Sequence, residues 1–334
     1  TGLFFGLGIA IDYLTGKLTD EKQEKKRATE ATNLLTSLGP TFIKVGQSLS
    51  IRTDLLRPAY ANALATLQDQ VPAFETSIAR NIIESELGAS PDTIFKNGLE
   101  KDSSVVAAAS LGQVYKATTH DGDEVAVKVQ RPDILERVAL DMHILRSAAP
   151  VIKDLAGLQS NLTGIVDDWG VGFVDELDYR KEALNAKLFQ DSISKTDLAS
   201  VVFAPPVVNE LTSRKVLTTE WVIGERLERA EQSDVTRLCS IAMNTYLTMM
   251  LDTGVLHSDP HPGNLLRTPE GRLCILDWGL VTRIDPGLRL TFIEHIAHLT
   301  SADYAKVPRD LVKLGFVPAG KEDFIQEAGV VDVL

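Results

Sequence analysis

The sequence predicts an α+β protein of two lobes, a strand-rich small lobe followed by a helical one, with a helical extension in front. Three observations predict it. Residues 1 to about 100 carry apolar side chains at helical spacing. Near Ser103 the pattern turns to period-two alternation with a hairpin signal. From Ser233 onward a long apolar helix and further helical stretches are interrupted only by two short strands. The division follows as 1–102 for the extension, 103–222 for the small lobe with a long insertion at 131–175, and 223–334 for the helical lobe.

Charged residues crowd Thr19 to Glu30, and Ala31, Leu34, Leu35 and Leu38 then repeat at helical spacing. Gly39-Pro40 stops that helix and starts another over Thr41 to Ile51. Pro58 opens a helix carrying Leu64 and Leu67, and Thr76 or Ser77 is expected to cap one carrying Ile78, Ile82, Ile83 and Leu87. Gln113 to Thr118 and Glu124 to Val129 alternate as strands around His120-Asp121-Gly122-Asp123. Helical spacing returns over Asp133 to Ala149 and Asp178 to Phe189. Val201 to Val208 and Lys215 to Val222 read as strands, the first confined to a sheet edge by Pro205-Pro206. The helix over Ser233 to Leu251 holds Leu238, Ile241, Ala242, Leu247 and Met250. Short strands follow at Leu265 to Arg267 and Leu273 to Leu276, and Pro286 to Leu334 reads as helical.

A length of 334 residues allows a large core, and the 44% apolar and 24% charged shares are those of a globular protein. The net charge of -12 argues against nucleic acid as the main partner. Cys239 and Cys274 sit in apolar runs and read as reduced core thiols. No CxxC or HExxH spacing points to zinc. No stretch reaches the ~20 apolar residues that span a bilayer. The opening Thr1 to Ile11 lacks an initiator Met and a basic leader, so it reads as a trimmed start. Its Phe4, Phe5, Leu7, Ile9 and Ile11 could lie in a membrane interface or pack on a helix.

The chemistry concentrates in His257-Ser258-Asp259-Pro260-His261-Pro262-Gly263-Asn264, followed by Asp277-Trp278-Gly279 after a short hairpin. An Asp, an Asn five residues on, and then Asp-x-Gly is the spacing of a kinase catalytic loop and its metal site. Phosphoryl transfer needs an aspartate near the nucleophile and a divalent metal on the phosphates, and the hard oxygens of Asn264 and Asp277 suit such a metal. A polar loop whose Asp and Asn only make turns is the plainer reading of either fragment alone. His257 and His261 lack a third ligand at a usable spacing, so His257 reads as a packed structural histidine.

Val125-Ala126-Val127-Lys128 places a lysine on the second hairpin strand, where it could neutralise phosphate oxygens if a carboxylate holds it. A strand lysine of this kind is otherwise a solvated side chain. The segment before it sets Ala107, Ala109 and Gly112 at the three glycine positions of a G-x-G-x-x-G-x-V loop, with Val114 after them. Two alanines there remove access to positive φ and predict a stiffer loop, in which Ala108 and Ser110 also face the nucleotide. The same run reads equally as a small-residue packing surface. Thr219-Glu220-Trp221-Val222 would link the lobes and offer main-chain groups to adenine through Glu220 and Val222, or simply end a buried strand.

Together these residues resemble the UbiB family of atypical kinases, also called aarF-domain-containing or ABC1-type kinases, over about Leu38 to Val281. Three marks lie outside the ordinary kinase set. Lys44-Val45-Gly46-Gln47 looks like the family's KxGQ motif, Ala107 to Val114 like its alanine-rich loop, and Glu176-Leu177-Asp178 with Tyr179 and Glu182 like its ExD segment. The resemblance implies a bilobal protein-kinase-like fold whose helical extension covers the peptide cleft. It implies that Lys128 contacts phosphates and pairs with Glu182 (Glu176 being the alternative), and that Asp259 is the catalytic base. It further implies that Asn264 and Asp277 hold metal, and that Lys44 and Gln47 meet Glu176 and Asp178. ATP with Mg2+ or Mn2+ would be the cofactors, and a prenyl-lipid or quinone-like molecule at a membrane surface the partner. Trp278 replaces the commoner Phe of Asp-x-Gly, a change expected to alter packing rather than metal binding. The lead into KxGQ is closer to plastid and bacterial members, which points to a chloroplast membrane (plastoglobule or thylakoid) or a bacterial inner membrane. An ATPase or small-molecule kinase is the leading expectation. A nucleotide-gated lipid-binding scaffold and an ordinary Ser/Thr protein kinase are the alternatives.

Overall fold

The computed structural model describes residues 20–50, 56–69, 72–96, 98–99, 105–156, 161–227, 232–260, 262–317 and 320. The apolar start at Phe4 to Ile11 and His261 lie outside the described residues. The chain divides into two compact units, one of residues 1–181 and 207–221, the other of 182–206 and 222–334.

The first unit opens with helices α1 (Glu21–Leu38), α2 (Pro40–Ser50) and α3 (Pro58–Ala65). Asp20 caps α1 by accepting from the amides of Lys22 and Gln23, and Gly39 at φ 111° breaks the chain before α2. Helix α4 (Thr76–Leu87) follows; its N-cap is Glu75 without a side-chain bond, so neither Thr76 nor Ser77 caps it. The short α5 (Pro91–Ile94) leads to strands β1 (Val105–Ala108), β2 (Gly112–Thr118) and β3 (Glu124–Gln130). Next come α6 (Ile134–Ala156) and α7 (Leu162–Glu176), and α8 (Tyr179–Ile193) then runs from this unit into the second.

Helix α6 continues past Ala149 and through Pro150, further than its sequence pattern suggests. A proline removes one amide bond, and the loss falls where the helix is held by the α6–α7 core, which includes Ala149 at 3% exposure. Helix α7 escaped the sequence reading because Gly164, Gly170 and Gly172 weaken its propensity. The signals that reveal it are Asn161, which caps Gly164, and Leu162, Val166, Trp169 and Phe173 at helical spacing.

In the second unit β4 (Val202–Phe203) precedes β6 (Glu225–Arg226), α9 (Gln232–Thr248) and β7 (Val255–His257). Strands β8 (Leu265–Arg267), β9 (Leu273–Ile275) and β10 (Val281–Arg283) lead to α10 (Pro286–Thr300) and α11 (Val307–Lys313). The strand expected over Val201 to Val208 shrinks to two residues on the sheet edge, because the prolines at 205 and 206 cannot donate to a ladder. Strand β5 (Val216–Glu220) returns to the first unit and completes the sheet order β1-β2-β3-β5. Helix α9 buries only one face, through Leu238, Thr245 and Met249's neighbouring turn, and leaves Met243 66% exposed. Cys239 lies on its exposed side and is not a core thiol, whereas Cys274 in β9 is buried, which pushes its thiol up to about 12.

Besides a small cluster of Ile43, Leu64 and Leu67 among α1, α2 and α3, two larger cores position the described residues of the first unit. One packs Ala79 and Ile83 of α4 against Tyr115, Val125, Val127 and Val216 of the sheet. The other joins Val45 of α2 and Leu111 to α6 and α7 through Ile134, Val138, Val166 and Phe173. Each large side chain fully buried there contributes about 1.5–3 kcal/mol. Gly112 is required by close approach, since a Cβ would lie 2.6 Å from the Val129 carbonyl and 2.5 Å from the Tyr179 hydroxyl. Gly112→Ala is expected to destabilise the chain by about 1–3 kcal/mol, read as a lower urea midpoint with unchanged m.

Candidate functional site

The chemistry-bearing residues fall on both units. On the first, β1 and β2 pair antiparallel with Ala107 opposite Val114 and Ala108 opposite Gln113. The turn between them is Ala109-Ser110-Leu111, with Ser110 buried and the Ala109 amide donating to the Gly112 carbonyl at 2.8 Å. None of these residues takes a positive φ, so alanine costs no strain here.

Lys128 lies in the middle of β3, opposite Val114 on one side and Leu217 on the other. Its ammonium sits 5.1 Å from the centre of the Tyr179 ring, a cation–π contact. Tyr179 is 1% exposed, and its amide donates to the Arg214 carbonyl at 3.0 Å. The neighbouring Leu177 carbonyl accepts from the buried Gln130 side chain at 2.8 Å. These contacts tie the ExD segment to β3 from within the unit. Glu182, one turn further along α8 and 5% exposed, belongs to the second unit.

Helix α2 brings Lys44 to Glu176 at 2.8 Å, with both side chains largely buried. The other two residues expected at this junction go elsewhere. Gln47 donates to the Leu67 carbonyl at 3.3 Å, and Asp178 binds Arg180 at 2.7 Å. The hydrogen bonds from Arg180 hold the Asp178 carboxyl below its ordinary value against the opposing effect of burial. Gly46 is the packing residue of the motif, because a Cβ would lie 2.5 Å from Leu67 and 3.1 Å from Leu35.

Strand β5 ends at Glu220, whose side chain is exposed and borders a groove of about 740 Å3 shared with Thr119, Asp123 and Trp221. The Trp221 amide donates to Glu124 at 2.9 Å, and the boundary between the units falls between Trp221 and Val222.

On the second unit, His257 ends β7 and is 1% exposed. Its Nε2 donates to the Asp277 carbonyl at 2.8 Å, and its Nδ1 accepts from the Asp259 amide at 3.2 Å. One imidazole thus holds the backbone of both aspartates. Asn264 donates through Nδ2 to the Asp259 carboxylate at 3.2 Å, and its main-chain carbonyl accepts from the Leu276 amide at 2.8 Å. Asp277 has φ 52°, a left-handed backbone uncommon outside glycine, and its Oδ1 accepts from the Gly279 amide at 3.2 Å. Tyr246 lies 3.4 Å from His257 Nδ1; burial first, and then the charge of Asp259, push its phenol well above the usual range.

Trp278 is 2% exposed, stacked 4.3 Å from Phe189 and edge-on to His257 at 4.8 Å. Its indole donates to the Ile275 carbonyl, and its own carbonyl accepts from Asn185 at 3.0 Å. Trp278→Phe removes that donor and leaves a void beside Phe189, for an expected loss of about 1–3 kcal/mol in thermal unfolding.

A family model described as the ABC1 atypical kinase-like domain matches residues 66–311. The chain is 40% identical over 321 residues to the uncharacterised Synechocystis protein sll0005, covering 94% of this chain and 46% of that protein. It is 40% identical over 320 residues to Protein ACTIVITY OF BC1 COMPLEX KINASE 3, chloroplastic, of Arabidopsis thaliana, covering 94% of this chain and 44% of that one. A solved structure of Rv3197 with erythromycin, from Mycobacterium tuberculosis, superposes with a TM-score of 0.61 at 27% identity, covering 92% of this chain and 77% of that one. The chain thus spans about half the length of these curated relatives, which are chloroplast and cyanobacterial proteins. With a kinase-like domain matched over most of its length, and relatives of that class covering nearly all of it, the chain belongs to the ABC1 atypical kinase-like family.

Proposed function

We propose that the chain is an atypical kinase or ATPase that binds ATP with Mg2+ and serves prenyl-lipid or quinone metabolism at a membrane surface. The single observation that carries the catalytic half is the hydrogen-bonded set Asp259, Asn264, His257 and Asp277. Asp259 is the base that accepts the proton of an attacking hydroxyl or water, and Asn264 orients it through Nδ2. The donor set fits magnesium: Asn264 spends its amide nitrogen on Asp259 and keeps a carbonyl oxygen, and Asp277 offers a carboxylate, both hard ligands. Magnesium bound there would neutralise phosphate charge as the terminal group transfers. Lys128 is the phosphate-binding cation, its ammonium steadied over Tyr179.

The lipid half rests on the family resemblance alone. No helix among the described residues is long and apolar enough to cross a membrane. By the family resemblance, the extension would restrict access of protein substrates, which favours hydrolysis or a small acceptor over peptide phosphorylation.

The test is phosphate release from ATP with magnesium, with and without anionic liposomes. Asp277→Asn is expected to lower metal-dependent turnover by about a hundredfold or more while the fold persists. Unchanged turnover would refute the assignment of Asp277. Nucleotide binding with no turnover in any membrane condition would favour a nucleotide-gated scaffold instead.

A further inference from the structure

Two side chains of the first unit have no part in the site as described, yet they meet at the alanine-rich loop. Gln113 follows Gly112 in β2 and is fully buried, at 0% exposure. Its amide closes a two-bond ring on Phe74: Oε1 accepts from the Phe74 amide at 3.0 Å and Nε2 donates to the Phe74 carbonyl at 3.1 Å. The Tyr115 hydroxyl is a further partner of Nε2. Arg131, just past β3, grips the same two segments. Its Nε donates to the Ala109 carbonyl at 3.1 Å and its Nη2 to the Pro72 carbonyl at 2.7 Å. Its own amide donates to the Leu111 carbonyl at 2.9 Å, and the guanidinium lies 5.6 Å from the Phe74 ring centre.

A guanidinium is a rigid fork, so it fixes the angle as well as the distance between two acceptors. A primary amide that matches both backbone groups of one residue does the same. Residues 72–74 and the loop are therefore joined by directional bonds at both ends. Leu111, in the loop, also shares a core with Val45 of the KxGQ helix.

We propose that Gln113 and Arg131 are positioning residues that latch the alanine-rich loop to residues 72–74, so that the loop and the preceding extension move as one body. The latch holds the loop in a single shape, one in which no residue needs positive φ and alanine serves where glycine would otherwise be required. Its role in nucleotide binding rests on the proposed ATP binding and on the reading of this loop, from its sequence pattern, as the phosphate loop.

The experiment joins hydrogen exchange of the nucleotide-free chain to binding of a fluorescent ATP analogue with magnesium. Arg131→Met keeps the aliphatic contact with Phe74 and removes both side-chain donors. It is expected to speed exchange across residues 105–111 about tenfold while residues 125–129 keep their protection. The same variant is expected to weaken analogue binding about fivefold or more, with Arg131→Lys intermediate. Gln113→Met should give the same pattern; if its burial prevents folding, Arg131→Met decides. Unchanged exchange at 105–111 in a natively melting Arg131→Met would overturn the latch. Faster exchange with unchanged affinity would overturn its role in nucleotide binding. Failure of the unsubstituted chain to bind the analogue would overturn the phosphate-loop reading, and the exchange result would still judge the latch.

Discussion

The second unit depends on one buried imidazole. Asp259 and Asp277 leave different strands and are separated by a hairpin, so nothing in the local chain keeps them in register. His257 supplies the register by accepting the Asp259 amide on one nitrogen and donating to the Asp277 carbonyl from the other. The neutral ring with its proton on Nε2 satisfies both bonds at once, and burial excludes the water that would compete for them. The left-handed backbone of Asp277 is tolerated in this setting, because the imidazole on one side and the Gly279 amide on the other fix the turn. Trp278 then seals the ring, with Phe189 stacked behind it.

The first unit solves a related problem with backbone carbonyls. Lys128 is placed by a strand, and the surface beneath it is the Tyr179 ring at the start of α8. That ring is located by Gln130 on Leu177, by Arg214 on the Tyr179 amide and by the absence of a side chain at Gly112. The ExD segment is thus bolted to the sheet by groups that carry no catalytic chemistry. Its Glu176 meets Lys44, whereas Asp178 serves locally, binding Arg180 at the opening of α8.

An ordinary phosphate loop uses glycine for freedom of backbone angle. Here the alanine-rich turn closes through the Ala109 amide on Gly112 and keeps ordinary angles throughout. A loop built this way exchanges adaptability for a preset shape. That suits a family member whose extension packs in the same core as the loop.

Much of this was legible in the chain itself. Asp259, Asn264 and Asp277 stand out in the sequence by their spacing, because the proposed chemistry, with two oxygen ligands and a base, would constrain residue type and order. The strands around Lys128 follow from strict alternation, since one face of each is buried. Helix α7 was not legible by propensity, because its glycines are outweighed by Val166 and Phe173 packing against α6, a term absent from local sequence. Nor could spacing assign partners: Lys44 and Gln47 share a helix face, yet one meets Glu176 and the other the Leu67 carbonyl. The sequence by itself determined which chemical groups are present and in what order, since ligand type and strand period are properties of residues. Only the tertiary structure decided who holds whom, because a hydrogen bond depends on distance and angle between segments that the chain keeps far apart.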